Sequence, residues 1–500
     1  WCFLFVFEYI YAGPASYIDL DDQGDILVPF LVFLDKYLSE GNYTHRMMMG
    51  VDLIGSYVFG GEFLSFDLTL VRIFPLWIAI FLHQVVTVAL GFFGTYKLLR
   101  RGFSIKEVVC VACAALFTVI QYRYVLVTYN AGISWVVLPL VIYICVLCHK
   151  DPYYWLKVVA LAFWVAASIG IYQGLLPLVA TIGAGCVLFS IYRLRVLLAS
   201  FVIILAVFVN WSESIFGMLQ LAPLAQKNPS LITSETSIYL NLFKGLGNHI
   251  INPAQNWFIT SLFWISFTIL LFYRDQLAWR LLAAFFVPVL CLALFIAFPW
   301  EVLGLSTVRG VSVSHFLEAS VPIAVISSAL ACYRMTNSSP YQFLSYRPAF
   351  PAVLILCCAF GLMGYYKITS LRAHFNYTGQ RMYSGAEQLL EFSKKIGPYW
   401  RTVSLHNHLT VPTSTMNAAF YGLSSLQSFV HMRPKAFSEY WDAINNRENK
   451  NNERLPTNQT TTIESDPDDV CCFCDVFFRS AFLLWCRSWE RARPLFLFAK

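Results

Sequence analysis

The chain of 500 residues carries 58% hydrophobic and 17% aromatic side chains against 13% charged ones, about half the charge that a soluble chain of this length needs. Its apolar residues arrive in blocks of about 20, the length that crosses hydrocarbon. That pattern excludes a soluble enzyme, a singly anchored one, and an outer-membrane barrel built from alternating strands of about 10 residues. The net charge of +6 does not mark a nucleic-acid binder, because it sits in the connections between apolar blocks.

In chain order, apolar helices are predicted at about 1–12, 69–96, 106–120, 131–148, 153–171, 174–192, 196–211, 257–273, 279–298, 316–333 and 349–366. The fold class is therefore an α-helical polytopic membrane protein of about eleven transmembrane helices. The opening run WCFLFVFEYIYAG is too short to span and reads as the outer end of a helix that begins upstream. Of the 14 cysteines, Cys110, Cys113, Cys145, Cys148, Cys186, Cys291, Cys357 and Cys358 lie inside apolar blocks, where cysteine behaves as a small hydrophobe. No disulfide framework follows, and the CxxC spacing of Cys145 and Cys148 reads as helix packing.

Short connections set orientation through their cations. One set holds Lys97, Arg100, Arg101 and Lys106, then Lys150 and Lys157, Arg193 and Arg195, Arg274 and Arg280, and Arg334 and Arg347; these are read as cytoplasmic. The alternate connections carry fewer: Lys36 and Arg46, Arg123, Lys227 and Lys244, and Arg309. The segments 13–68 and 212–256 become long outer loops of a transmembrane domain covering 1–366. Loops of that length are usually functional or disordered. Beyond it, 367–444 has the composition of a small outer α/β domain: SGAEQLLEFSKKIG offers Ser384 as cap, Glu387 for a capping box and Gly397 as stop. Residues 445–500 form a polar, then Cys- and Phe-crowded tail that reads as disordered or non-native.

The densest polar cluster follows the first helix. SYIDLDDQGDILVPFLVFLDKYL places Asp19, Asp21, Asp22 and Asp25 within seven positions, ahead of an amphipathic run with Ile26, Phe30, Leu31 and Leu34 on one face. Like charges this close repel. Three readings stay open: a divalent metal held by Asp21 and Asp25, a general base for an acceptor hydroxyl, or a solvated acidic turn whose Asp25 caps the next helix. Asp52, Glu62 and Asp67 follow in the same loop, and Asp52 fits ordinary surface placement. Outer cations are sparse; Arg123, Lys244, His249, Arg309 and His315 lie near helix ends, where they suit either an anionic phosphate or interfacial snorkelling. Within helices, His83 and Gln84 suggest a helix-to-helix hydrogen bond.

Taken in order, four stretches resemble bacterial YkoS-like and YfhO-like membrane proteins, a group similar to the GT-C class of polytopic glycosyltransferases. They are DDQGD with Asp22 and Asp25; the helix end GFFGTYKLLRRGF at 91–103; SVSHFLEASVPIAVISSALA at 312–331, where His315 stands at the family's arginine position; and 396–444, with Thr402 to Leu405, Pro412, Asn417, Phe420, Tyr421, Lys435 and Phe437. In the last stretch Ser425 and Gln427 stand near where the family shows glycine and an Asp-Gly pair.

The resemblance implies a transferase that takes a sugar from a polyprenyl-phosphate donor to a glycan, lipid or protein acceptor, on the outer face of a bacterial cytoplasmic membrane. It implies Asp22 as catalytic base, assisted by Asp25 or Asp19, with the outer cations on the donor phosphate. A transporter or flippase and a non-catalytic assembly protein are the competing classes. Scarce ionisable residues at mid-helix positions weigh against a transporter.

Overall fold

The computed structural model describes residues 1–13, 31, 34–35, 43–44, 51–52, 64–121, 129–221, 238–254, 256–300, 313–338, 352–353 and 355–364. The chain divides into two compact units. In the smaller, which includes 24–57, Leu31 and Leu34 are helical and buried, as the amphipathic spacing predicts. Strands β1 (Tyr43–Thr44) and β2 (Val51–Asp52) pair antiparallel there, Tyr43 opposite Asp52 and Thr44 opposite Val51.

The larger unit is helical. After α1 (Cys2–Ala12) come α2 (Phe66–Ile73) and α3 (Leu76–Phe103), where the sequence pattern predicts a single helix from 69. Pro75 divides them, because proline has no N–H to continue the ladder and its ring restricts the preceding residue. Next are α4 (Glu107–Ile120), then α5 (Tyr129–Val136) and α6 (Leu138–Val141). The latter two run on through a π turn at Ile142–Val146 and a 3-10 turn at Leu147–Lys150. α7 (Tyr154–Ser168), α8 (Ile171–Phe189) and α9 (Leu194–Asn210) follow. The long segment 212–256 contains α10 (Ser212–Leu221) and α11 (Ile238–Ile250). α12 (Trp257–Phe272), α13 (Leu277–Ala297), a 3-10 segment (Val313–Ala319), α14 (Ser320–Ser338) and α15 (Ile355–Gly364) complete the unit.

All eleven predicted apolar segments contain helix. Among the described residues four are long and apolar enough to cross a bilayer: Leu76–Phe103, Ile133–Lys150, Leu277–Ala297 and Ser314–Thr336. The chain is thus an integral membrane protein of many apolar helices.

Small residues set how closely these helices meet, since in lipid packing rather than water exclusion holds them together. A Cβ at Gly91 of α3 would overlap the Val136 side chain, and one at Gly94 would lie 2.8 Å from Leu140, so α3 lies directly against the broken α5–α6 helix. The break is compensated locally. The Tyr154 hydroxyl donates to the carbonyl of Cys145, 2.9 Å away, within the π turn, as a non-standard turn at membrane depth requires. Cys145 and Cys148 stay free thiols. On the other side, α12 stacks on α13 through Phe263 and Phe285, ring centroids 3.7 Å apart and nearly parallel.

Contacts between helix termini sort the described turns to two ends. At one end lie the turns after α3, α8 and α12, ending on Ser104, Ser190 and Arg274, each with φ near +50°. Phe103 meets Phe189 at 5.1 Å and Arg334 reaches Asp275 there. At the opposite end lie the C-termini of α4, α9 and α13 and the starts of α3, α5, α8 and the 3-10 segment.

Candidate functional site

Two polar constellations occupy the second of these ends. The first begins where the segment after α1 re-enters the bundle. Asn210, the last residue of α9, accepts from the Leu64 N–H (2.8 Å) and donates to the Leu64 carbonyl (2.9 Å) and the Ala166 carbonyl (2.8 Å). Its carboxamide thus pairs with backbone as a neighbouring strand would. Ser65 then caps α2, its hydroxyl accepting from the Leu68 N–H at 3.2 Å, and Phe66 packs on Trp164 at 4.8 Å. Asp67, only 3% exposed, meets fully buried His83 through Oδ1 and Nδ1 at 2.6 Å. Burial pushes the Asp67 carboxyl above its ordinary value, and the neighbouring imidazole pulls the other way.

The hydrogen bond expected for His83 therefore goes to an acid in the preceding helix. Pro75 makes this possible by folding α2 back on α3. Gln84, next in the sequence, donates to the Tyr9 hydroxyl at 3.0 Å. Sequence reasoning grouped Asp67 with the loop acids and did not pair it; its position as the second residue of a Ser-capped helix was the available signal.

The second constellation surrounds the 3-10 segment. His315 lies against Trp135 of α5, ring centroids 5.5 Å apart. Trp135 is itself 3% exposed. Glu318, partly buried, lies beside the side chain of Gln121 at the end of α4. Gln121 is 1% exposed; the Glu318 carboxyl comes within reach of its amide, but neither amide atom makes a well-formed hydrogen bond with any described group. Close approach builds this corner: a Cβ at Gly174, near the start of α8, would stand 2.8 Å from the Ser134 hydroxyl. Phe316, Leu317 and Ala319 anchor the segment in an apolar cluster with Ala180, Val289 and Leu292.

Of the residues predicted for phosphate binding, His315 sits in this corner. Lys244 and His249 lie on α11, Lys244 exposed and His249 half-buried, so that burial lowers the His249 pKa. α11 joins the same apolar cluster through Leu246, and Gly245 lets it approach the Ala293 backbone. Asp19, Asp21, Asp22, Asp25, Arg123 and Arg309 lie outside the described residues. Among the described residues no three His, Cys, Asp or Glu side chains cluster as metal ligands; the two acids expected to hold a metal are not among them. Glu318 and Gln121 escaped the sequence reading. A glutamate entering an apolar helix was the signal for the first, since an ionisable group there is costly to keep.

Helices and polar corner together define a polytopic membrane protein with a buried polar site at one end. No protein-family model matches the chain, and neither does any curated protein. Among solved structures, the crystal structure of ArnT from Cupriavidus metallidurans bound to undecaprenyl phosphate is similar at a TM-score of 0.43 and 12% identity, over 84% of each chain.

Proposed function

We propose that this protein is a membrane glycosyltransferase that moves a sugar from a polyprenyl-phosphate donor to a glycan, lipid or protein acceptor, in the GT-C manner. The observation that carries the reading is the corner where Gln121, His315 and Glu318 gather at the end of an apolar bundle. Groups able to handle hydroxyls and phosphate oxygens stand there beside helices that offer a prenyl chain an apolar path. The acidic run Asp19 to Asp25 belongs, by sequence, to the loop that leaves α1 and returns at Leu64, whose backbone Asn210 holds.

In this reading Asp22 takes the proton from the acceptor hydroxyl as it attacks the anomeric carbon, with Asp25 or Asp19 assisting. His315, Lys244, His249, Arg123 and Arg309 steady the departing phosphate. A divalent metal on Asp21 and Asp25 would screen that phosphate in the same way. The site opens on the outer face of a bacterial cytoplasmic membrane.

The test is sugar transfer from radiolabelled polyprenyl-phosphate hexoses by the full chain in proteoliposomes. Asp22→Asn is expected to slow transfer by about 10²- to 10⁴-fold, the usual contribution of a general base. Retained transfer would remove Asp22 from the mechanism, and no transfer by the wild-type chain from any polyprenyl-phosphate sugar would remove the donor class.

A further inference from the structure

We propose that Gln121 and Glu318, with His315 at their edge, form a subsite that binds the hydroxyls of a sugar ring; the inference rests on the transferase reading and deepens it. Its foundation is the state of Gln121. The residue closes α4 with its backbone N–H bonded to the Phe117 carbonyl, and its buried side chain makes no well-formed hydrogen bond at either amide atom among the described residues, although the Glu318 carboxyl comes within reach of it. A buried polar group left unpaired costs about 1–3 kcal/mol, and a leucine of similar volume would avoid that cost. The Glu318 carboxyl beside it answers at most one end of the carboxamide, so hydrogen-bonding capacity is left that a ligand can meet.

Placement around it sets the ligand's chemistry. A 3-10 turn repeats every three residues, so His315 and Glu318 stand one above the other on the same face of the segment Val313–Ala319. Glu318 lies beside Gln121, and His315 lies against Trp135. The set therefore offers amide donors, an amide acceptor, a carboxyl and an imidazole within one corner, bordered by an indole. A prenyl chain would satisfy none of these groups. A phosphate, which only accepts, would suit His315 at the edge but leave the Glu318 carboxylate and the Gln121 carbonyl unanswered. Hydroxyl groups both donate and accept, so a polyhydroxylated ring matches all three side chains. That ring belongs either to the donor lipid or to the acceptor.

The experiment measures binding to the purified full chain in nanodiscs by shift of thermal unfolding. The probes are undecaprenyl phosphate, undecaprenyl-phosphate glucose, galactose and mannose, and the free methyl glycosides of the same sugars. Wild-type protein is expected to prefer at least one sugar-bearing probe. Gln121→Leu and, separately, Glu318→Gln are expected to weaken that probe by about tenfold, the scale of one lost hydrogen bond to a charged or buried group, and to leave bare undecaprenyl phosphate within about twofold. Gln121→Leu is further expected to hold or raise the melting temperature without ligand, which a structural role for the amide would not allow. Preference for a sugar-bearing lipid assigns the ring to the donor; protection by a methyl glycoside assigns it to the acceptor. Unchanged sugar binding in both variants overturns the subsite and leaves the transferase reading in place if the lipid binds. Failure of every lipid probe with wild-type protein breaks the donor reading, and the methyl glycosides then decide the subsite by themselves: binding lost in the variants keeps it, and no binding overturns it.

Discussion

At the end of the bundle formed by the turns after Ser104, Ser190 and Arg274, each of three cations is at least partly exposed and meets an acid or a carbonyl. Arg334 meets Asp275 at 2.6 Å, Lys157 meets Asp151 at 2.5 Å, and Arg100 donates to the Ile105 carbonyl at 3.0 Å. The turns are short and close on left-handed residues that are not glycine, a conformation costing about 1 kcal/mol that tight packing must hold. At the opposite end, among the described residues, no exposed cation takes part, and buried polar side chains meet other polar groups inside the bundle: Asp67 with His83, Asn210 on the Leu64 backbone, Gln121 beside Glu318. The first end terminates helices economically. The second keeps polar groups in a dry setting, where each is costly unless a fixed partner or a ligand answers it, and that difference is why the functional proposal falls there.

The sharpest way to break this comparison is to cut the buried pair. Asp67→Ala leaves His83 facing an emptied site, and removing one partner of a buried, hydrogen-bonded pair costs about 3–5 kcal/mol. A clear drop in melting temperature of the full chain in detergent is expected, with faster proteolysis between residues 13 and 63 as the anchor at Leu64 loosens. An unchanged melting temperature would mean that the pair does not hold α2 to α3.

At the charged end, Arg334→Ala should cost less, about 1–3 kcal/mol, because Asp275 still accepts from the Leu277 N–H at the start of α13, 2.9 Å away. A loss equal to that of Asp67→Ala, measured side by side, would erase the contrast. Lys157→Ala should lower the melting temperature only slightly at neutral pH, since exposed pairs contribute little. That small effect should disappear in acid. Lys157 and the Tyr153 N–H hold the Asp151 carboxyl below its ordinary value, so the stability this pair adds is present above about pH 3.9 and is lost as pH falls through the folded value. Melting curves of wild type and variant should converge below that range; divergence there would show that the pair is not what titrates.

Much of the helical skeleton was readable from local pattern. Each of the eleven apolar blocks contains a helix, because an apolar run of this length has one way to satisfy its backbone in lipid. Reading failed where a single residue or a neighbour decides. Pro75 split a continuous apolar pattern into α2 and α3. The segment 212–256 was taken as loop because its apolar residues are interleaved with polar ones, yet that spacing is what α11 needs to lay Leu246 on the cluster below. Of the candidate site, His315 was found by its position at a helix start. Gln121 and Glu318 were not singled out and Asp67 was not paired, since local signals mark a residue as unusual without saying which distant helix supplies its partner.

By itself, the sequence determined that this is a membrane protein, where most of its helices run, and which ends collect the cations, all of which follow from the local cost of placing polar atoms in hydrocarbon. Only the tertiary structure decided that Asn210 reads the backbone of Leu64 from 146 positions away, that Asp67 folds onto His83, and that Gln121 and Glu318 share a corner. Which polar groups meet depends on which helices become neighbours. That depends in turn on small residues such as Gly91, Gly94 and Gly174 admitting a particular close approach, a property of surfaces in contact that no single segment carries.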